Sequence, residues 1–409
     1  MTSFQTAALG SQGIAEIIAG QSPPSSSYND HGSGLPFYQG KADFGTQYPL
    51  PTLYSTEGRQ VANPGDVLLA VRAPVGDVNI AQGQCVIGRG LAAIRPGPKV
   101  DPLFLFFALM YARPQLRVRA TGSTFESVNR AAISEVEIPL PERKTQKKIS
   151  GVLQFVLDSQ AGATKLLDVL ASARRTATQR LFTRGLRGNA QKETEVGPIP
   201  QDWNISTIGE HFSVVSGGTP SRANPMYWEG GTIPWVKTAE VSYNVITDSE
   251  ERITDVALAE SAAKLLPAGT LLMAMYGQGV TRGKVAILGI DASCNQACAA
   301  MLPLGDLVLT RFLYHFLAYR YEEIRRLSHG GQQQNLNLEI VRDLHLVIPD
   351  QVTEQHEIAD ILDALDASMR LHEQKRSLLK GLFESLLNDL MTGEIDVNDL
   401  DLSSLEVAA

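Results

Sequence analysis

The strongest constraint on this chain is that its pattern occurs twice. AGQSPP from Ala19 and LPFYQGKAD from Leu35 return as SGGTP from Ser216 and IPWVKTAEV from Ile233. Each copy then passes a Pro-Gly or Pro-Ala-Gly turn into an apolar stretch, DVLLAVRAP from Asp66 and TLLMAMYGQG from Thr270. Each closes on a short strand ending in Ile-Pro and a long helical segment, EVEIPLPERKTQKKISGVL from Glu135 and DLHLVIPDQVTEQHEIADIL from Asp343. The expected fold is mixed α+β, with two globular domains separated by two long antiparallel helices that form a coiled coil about a pseudo-two-fold internal repeat. The expected division is a first head at 1–141, a central helix at 142–187, a linker and second head at 188–350, a second helix at 351–392 and a tail at 393–409. The acidic tail lacks a sustained apolar face and is expected to fray.

A chain of 409 residues has room for two heads that each bury a core. Three cysteines, Cys85, Cys294 and Cys298, make no disulfide framework, and no signal peptide opens the chain, so a cytoplasmic location is expected. The run LFLFFALMYA from Leu103 is too short to cross a membrane and reads as a buried helix, so no membrane role is expected. Net charge is −8, which by itself argues against nucleic acid, but the charge is unevenly placed. Residues 1–141 carry 10 basic and 10 acidic side chains, and 142–187 carry 10 against 3. The second head, 197–350, has 11 against 16, and 351–409 has 4 against 13. Opposite charge on two similar helices favours their pairing with each other.

Both helices carry an apolar seam at heptad spacing. The first runs through Ile149, Leu153, Val156, Gln160, Ala163, Leu167, Leu170, Arg174, Ala177 and Leu181. The second runs through Ile358, Leu362, Leu365, Met369, His372, Arg376, Leu379, Phe383, Leu386 and Leu390, each 209 residues after its counterpart. Flush antiparallel pairing places Ile149 beside Leu390, so that partner numbers sum to 539. Ala163 then faces Arg376, Leu167 faces His372, and polar residues near Gln160 set the register. The same seams also allow pairing between chains by exchange of helices. About 42 residues at ~1.5 Å each make a helix on the order of 60 Å long, enough to hold two heads over DNA half-sites a turn of ~34 to 36 Å or more apart. Heads that share a frame but differ in residues should read unlike halves.

The repeated openings, TLLMAMYGQGVTRGKVAIL from Thr270, SCNQACAAMLP from Ser293, GGQQQNLNLEIVRDLHLVIP from Gly330 and the helix starts at Gln146 and Gln355 together resemble the specificity subunit of type I restriction-modification systems. The resemblance covers nearly the whole chain. It implies two target recognition domains, each reading one half of a bipartite site on double-stranded DNA, with the helices setting the spacer. It also implies partners: methyltransferase (M) subunits, two of them, docked on the helices, and endonuclease/translocase (R) subunits. On that resemblance the chain has no catalysis and no cofactor of its own, and S-adenosylmethionine, ATP and magnesium belong to the partners. One departure is GSTFESVN from Gly122, where the second copy has GGQQQNLN.

Motifs for bond chemistry fail one by one. NPMY from Asn224 resembles a loop that holds a flipped adenine, but Met226 replaces its second proline and no Gly-rich cofactor loop follows a strand upstream. GQGVTRGK from Gly277 is one residue too long for a phosphate-binding loop, and Val285 stands where Ser or Thr would hold magnesium. Cys294 and Cys298 lack a second ligand pair, so no metal is expected. Two rival readings remain: an enzyme with its own reader, which lacks a cofactor motif here, and a non-catalytic coiled-coil scaffold with two protein-binding heads.

Candidate DNA contacts are side chains in Gly-rich, aromatic or polar loops between apolar strands. In the second head they are Ser216, Thr219, Ser221, Arg222, Lys237, Tyr276, Gln278, Thr281, Arg282, Lys284, His329, Gln332, Gln333 and Asn335. In the first they are Gln21, Ser22, Ser25, Gln39, Lys41, Arg72, Arg89, Arg119, Ser123 and Asn129. Arg suits guanine and Gln or Asn suits adenine in the major groove, whereas Lys mostly meets phosphate. For any one of these positions an ordinary solvated loop residue is an equal alternative. Trp203, Trp228 and Trp235 read as packing aromatics rather than stacking platforms, and Gly217 and Gly218 as a tight turn.

Overall fold

The computed structural model of the protein describes residues 4–120, 127–277, 280–327 and 335–400. It forms two compact units, Met1–Leu167 with His372–Ala409 and Asp168–Leu371. The sequence-based division ended each head at the start of a helix; the compact units instead cut each long helix partway along. The reason is that each head's core continues onto helix residues, as described for each unit below.

In the first unit an antiparallel sheet has the order Ala15–Ala19, Leu91–Pro96, Val67–Ala70, Val78–Ile80. Val67–Ala70 is buried on both faces, and its unbroken VLLA sequence is what such a strand requires. A second sheet includes the parallel pair Leu35–Tyr38 and Cys85–Ile87. The apolar run forms the helix Pro102–Tyr111, capped by Asp101, whose side chain accepts from the Leu103 and Phe104 amides, with Pro102 in the first turn. Phe104 through Leu109 are all buried, and each large side chain there contributes roughly 1.5–3 kcal/mol by leaving water. This core includes Ile149, Leu153, Val156 and Leu157 of the first long helix, and Phe383, Leu390 and Met391 of the second.

The second unit repeats the plan. Phe212–Ser216, Cys298–Pro303, Leu271–Ala274, Val285–Leu288 and Val245–Ile246 form its main sheet, and Ile233–Val236 pairs in parallel with Ser293–Cys294. The helix Thr310–Tyr319 takes the place of Pro102–Tyr111. Its core includes Leu181 and Phe182 of the first long helix and Ile358 and Leu362 of the second. Trp203 is completely buried in that core, and Trp235 is 2% exposed, so both are packing aromatics.

The long helices are Arg143–Arg184 and Val352–Thr392. Within the first unit the Gln160 side-chain amide donates to the Leu379 carbonyl at 2.9 Å, a pair whose numbers sum to 539. Within the second, Arg174 makes a two-pronged ion pair with Asp366, one position off that sum. Ile149, Leu153, Val156, Leu167, Leu181, Ile358, Leu362, Phe383 and Leu390 are buried, and Leu170, Leu365 and Leu379 are half-buried. Arg376 differs from the expectation: it is exposed, while Ala163 is buried. A guanidinium held in an apolar seam without a partner would lose its hydration for nothing.

A pair of buried glutamines locks each head to its helix. Gln146 accepts from the Asp101 amide (2.8 Å) and donates to the Lys99 and Pro141 carbonyls (3.1 and 2.8 Å). Gln355, in the second unit, accepts from the Leu309 amide (3.0 Å) and donates to the Leu307 carbonyl (2.9 Å). Both side chains are fully buried. The tail also departs from expectation as far as Leu400. Val397 is 1% exposed, Ile395 and Leu400 pack on the first head's core, and Lys148 donates to Asn398 at 2.7 Å. Residues 401–409 lie outside the described residues. None of the described helices is long and apolar enough to cross a membrane.

Candidate nucleic-acid interface

Each head gathers five loop segments at one end of its main sheet, and the same six backbone hydrogen bonds hold them in both. After the first strand of the sheet, Gly20 and Gln21 donate to Leu91 and Ile87 (both 2.9 Å); Gly217 and Gly218 donate to Cys298 and Cys294 (3.2 and 2.9 Å). In the turn that follows the parallel pair, Gly88 donates to Tyr38 and Leu91 to Gly88 (2.8 and 3.0 Å); Asn295 donates to Val236 and Cys298 to Asn295 (3.0 and 3.1 Å). Beyond the central strand, Val71 donates to Gly90 and Val128 to Val71 (both 3.0 Å); Met275 donates to Ala297 and Leu336 to Met275 (2.8 and 3.2 Å).

Glycine at the opening position is a packing requirement. A Cβ on Gly20 would stand 2.1 Å from the Gly88 carbonyl oxygen, and one on Gly217 would stand 2.2 Å from that of Cys294. Close approach, rather than turn geometry alone, selects glycine here.

These bonds align the heads residue by residue, with Ser22 matching Thr219, Gln39 matching Lys237, Arg72 matching Tyr276, Arg89 matching Gln296 and Ser127 matching Asn335. Gln39 and Lys237 are placed alike, each by an acid three or four residues on: Asp43 accepts from the Gln39 amide (2.6 Å) and Glu240 from that of Lys237 (2.7 Å). Arg72 bridges to Ser127 through the backbone, which brings the approach to the short helix Arg130–Ser134 into the cluster. Among the sequence candidates, Gln21, Ser22, Gln39, Arg72 and Arg89 therefore converge in the first head, and Ser216, Thr219, Lys237, Tyr276 and Asn335 in the second. Thr281 packs beside Gly277 and extends the second group.

Other candidates are placed by structural duties. Asn129 caps the helix Arg130–Ser134 through the Ala132 amide, as Asn337 caps Leu338–Asp343. Arg119 donates to the Gln115 and Glu135 carbonyls at a helix end (both 3.4 Å). Lys41 and Arg113 share Asp77. Ser25 lies exposed in the short helix Ser25–Ser27, away from these bonds. Ser221 lends its carbonyl to the Trp228 indole (3.1 Å), and Arg222 stacks over Trp228 at 3.8 Å while pairing with Glu251. Lys284 donates to Ser242 (3.1 Å) and faces the Tyr243 ring. Arg282 is also engaged. Asn224, from the NPMY segment, caps the turn Pro225–Tyr227 through the Met226 amide. Ser123, Gln278, His329, Gln332 and Gln333 lie outside the described residues.

The electrostatics of the two clusters differ. Lys237 is held by Glu250 (2.7 Å) and Glu251 (3.2 Å), which raise its pKa, and Arg222 with Lys237 lowers that of Glu251. Two cations and two carboxylates thus neutralise one another in the second head. In the first, Arg72 and Arg89 are exposed and neither has an acidic partner among the described residues. Sequence reasoning missed Gln296, which is exposed and bonds to Thr219. The signal was available: GRGLAAI from Gly88 and NQACAAM from Asn295 share spacing and the paired alanines. Among the described residues no group of His, Cys, Asp and Glu is placed to hold a metal, and all three cysteines are free and buried.

Two small heads with one loop frame, each built onto a helix pair and decorated differently, define an internally duplicated recognition protein. A family model for the type I restriction modification DNA specificity domain matches twice, over residues 10–167 and 200–380. The chain belongs to the type I restriction-modification DNA specificity family, whose role is sequence specificity rather than catalysis. Among its relatives, a putative type I restriction enzyme MjaX specificity subunit from Methanocaldococcus jannaschii is 40% identical over 185 residues, 45% of this chain and 44% of that protein. The MjaIX specificity subunit of the same organism is 24% identical over 82% of this chain and 79% of its own length. In fold, the S subunit of a type I system from M. genitalium matches with a TM-score of 0.67 at 15% identity, covering 95% of this chain and 96% of that one. The protein-binding scaffold reading gives way to these findings.

Proposed function

We propose that each head reads one half of an asymmetric bipartite sequence in double-stranded DNA and that the paired helices fix the distance between the halves. The observation that carries this reading is the duplicated loop frame, in which six matching hydrogen bonds present different side chains at equivalent positions. The functional division follows the sequence: a head at 1–141, a linker and second head at 188–350, and helices at 142–187 and 351–392. The chain works in a cytoplasmic assembly with two methyltransferase (M) subunits docked along the helices and with endonuclease/translocase (R) subunits. Those partners carry S-adenosylmethionine, ATP and magnesium. A similar solved chain belongs to a study of type I complex assembly, at a TM-score of 0.56 and 17% identity over 97% of this chain and 99% of that one.

The heads carry little surplus positive charge, 10 basic against 10 acidic side chains in the first and 11 against 16 over residues 197–350 of the second. Because counterion release supplies most non-specific affinity, the chain alone binds DNA weakly and acquires affinity in the assembly. Co-expression with its methyltransferase subunits tests the function. The expected result is a split methylated motif present only when this chain is present; methylation that does not depend on the chain overturns the reading.

A further inference from the structure

We propose that the turn residue between the parallel strand and its successor is the base-reading position of each head, with Arg89 selecting guanine in one half-site and Gln296 selecting adenine in the other. This rests on the reading of the heads as DNA readers and names the residues that give the two halves different sequences.

The hydrogen-bond frame makes the two positions equivalent, because the residue before each donates to the end of the parallel strand and the residue after each accepts from the segment beyond the central strand. Each also touches the same neighbour, through different atoms: the Arg89 backbone amide donates to Ser22 Oγ at 3.4 Å, whereas the Thr219 hydroxyl donates to Gln296 Oε1, which still has a second lone pair for adenine N6 while its NH2 faces N7. Both side chains are exposed, so neither is needed for the core.

Chemistry then separates this position from the others in the frame. A guanidinium offers two parallel donors that match guanine O6 and N7, and a carboxamide offers a donor and an acceptor that match adenine N6 and N7. Arg89 and Gln296 are the pair in which both heads carry a two-pronged match. At the next position Arg72 faces a tyrosine equivalent, Tyr276, which has a single hydroxyl. Gln39 is matched by Lys237, whose ammonium is already held by Glu250 and Glu251. Gln21 is matched by Gly218, which has no side chain. Ser22 and Thr219 carry hydroxyls that serve any base, and they buttress the turn instead.

The test is a pair of substitutions, Gln296→Arg and Arg89→Gln, in the full chain co-expressed with its methyltransferase subunits. Methylome sequencing gives the motif, and competition binding by the assembled complex on DNA varied at each base gives the preference. Each variant is expected to change one base in one half, by roughly 5- to 150-fold in relative affinity, while the other half and the spacing stay as in the wild type. Gel filtration of the assembly shows that the exposed turn still folds. A variant that keeps the wild-type motif, alters both halves, or weakens every sequence equally overturns the assignment for its head. If the wild-type chain itself confers no motif, the DNA-reading function fails instead, so the two failures are distinguishable.

Discussion

Replacing Gln146 by methionine, which preserves volume and removes the amide, should unlock the first head from its helix. Gln146, itself fully buried, bonds three part-buried backbone groups: the Asp101 amide and the Lys99 and Pro141 carbonyls. A thioether satisfies none of them. Each group left unpaired costs about 1–3 kcal/mol, but carbonyls tolerate loss better than amides and loop backbone relaxes toward water, so a total of roughly 2–4 kcal/mol is expected. Hydrogen exchange read by mass spectrometry on peptides spanning 99–111 measures the opening directly. With fast reclosing, that cost corresponds to roughly 30- to 1,000-fold faster exchange at the start of the helix Pro102–Tyr111. Gln355→Met removes only two bonds, to Leu309 and Leu307, and should speed exchange in 307–319 by about one hydrogen bond less, or roughly tenfold. Unchanged protection in the first head, or a larger effect at Gln355, would refute the idea that these side chains are the locks.

Gly217→Ala should collapse the second head's loop frame, since its Cβ would meet the Cys294 carbonyl at 2.2 Å. The expected cost is about 1–3 kcal/mol of local distortion, with loss of base preference in one half-site and none in the other by competition binding. For Asp363, burial acts to raise the carboxyl's pKa, but the His315 ring nitrogen at 2.8 Å and Arg311 outweigh it and hold it below its ordinary value. A depressed native pKa adds stability that is present above the unfolded value of roughly 3.9 and disappears as pH falls through the native one. The urea midpoints of the wild type and Asp363→Asn should therefore differ near neutral pH and converge as pH falls below that value; a gap that widens there would contradict the assignment.

What the sequence revealed and what it hid divide along the range of the interactions. The twin openings, the buried helix after Asp101 and the helix starts at Gln146 and Gln355 are written in local pattern and spacing. So is the register, because two seams of equal length leave few ways to bury each other, and Gln160 meets Leu379 accordingly. Long-range pairing was not legible. Arg222 and Lys237 look like free cations until Glu250 and Glu251 are brought beside them. The segment 393–400 reads as a solvated acidic tail because its apolar residues are sparse, yet Ile395, Val397 and Leu400 suffice where the first head offers a ready surface. Asn129, a candidate DNA contact, is equally legible as a helix cap, and it caps Arg130–Ser134. Gln296 went unnoticed because the stretch around it looked like core, and only aligning it with Arg89 shows an exposed turn.

Inserting four residues after Gln160 in the full chain tests whether paired helices fix the distance between two DNA readers. Methylome sequencing of a host that also expresses the methyltransferase subunits then compares the insertion with the wild type. The wild type should give a split motif and the insertion either the same two half-sequences at a different spacing or no methylation. The same motif at the same spacing would show that the helices do not set the distance, and no chain-dependent motif in the wild type would remove the DNA-reading function itself.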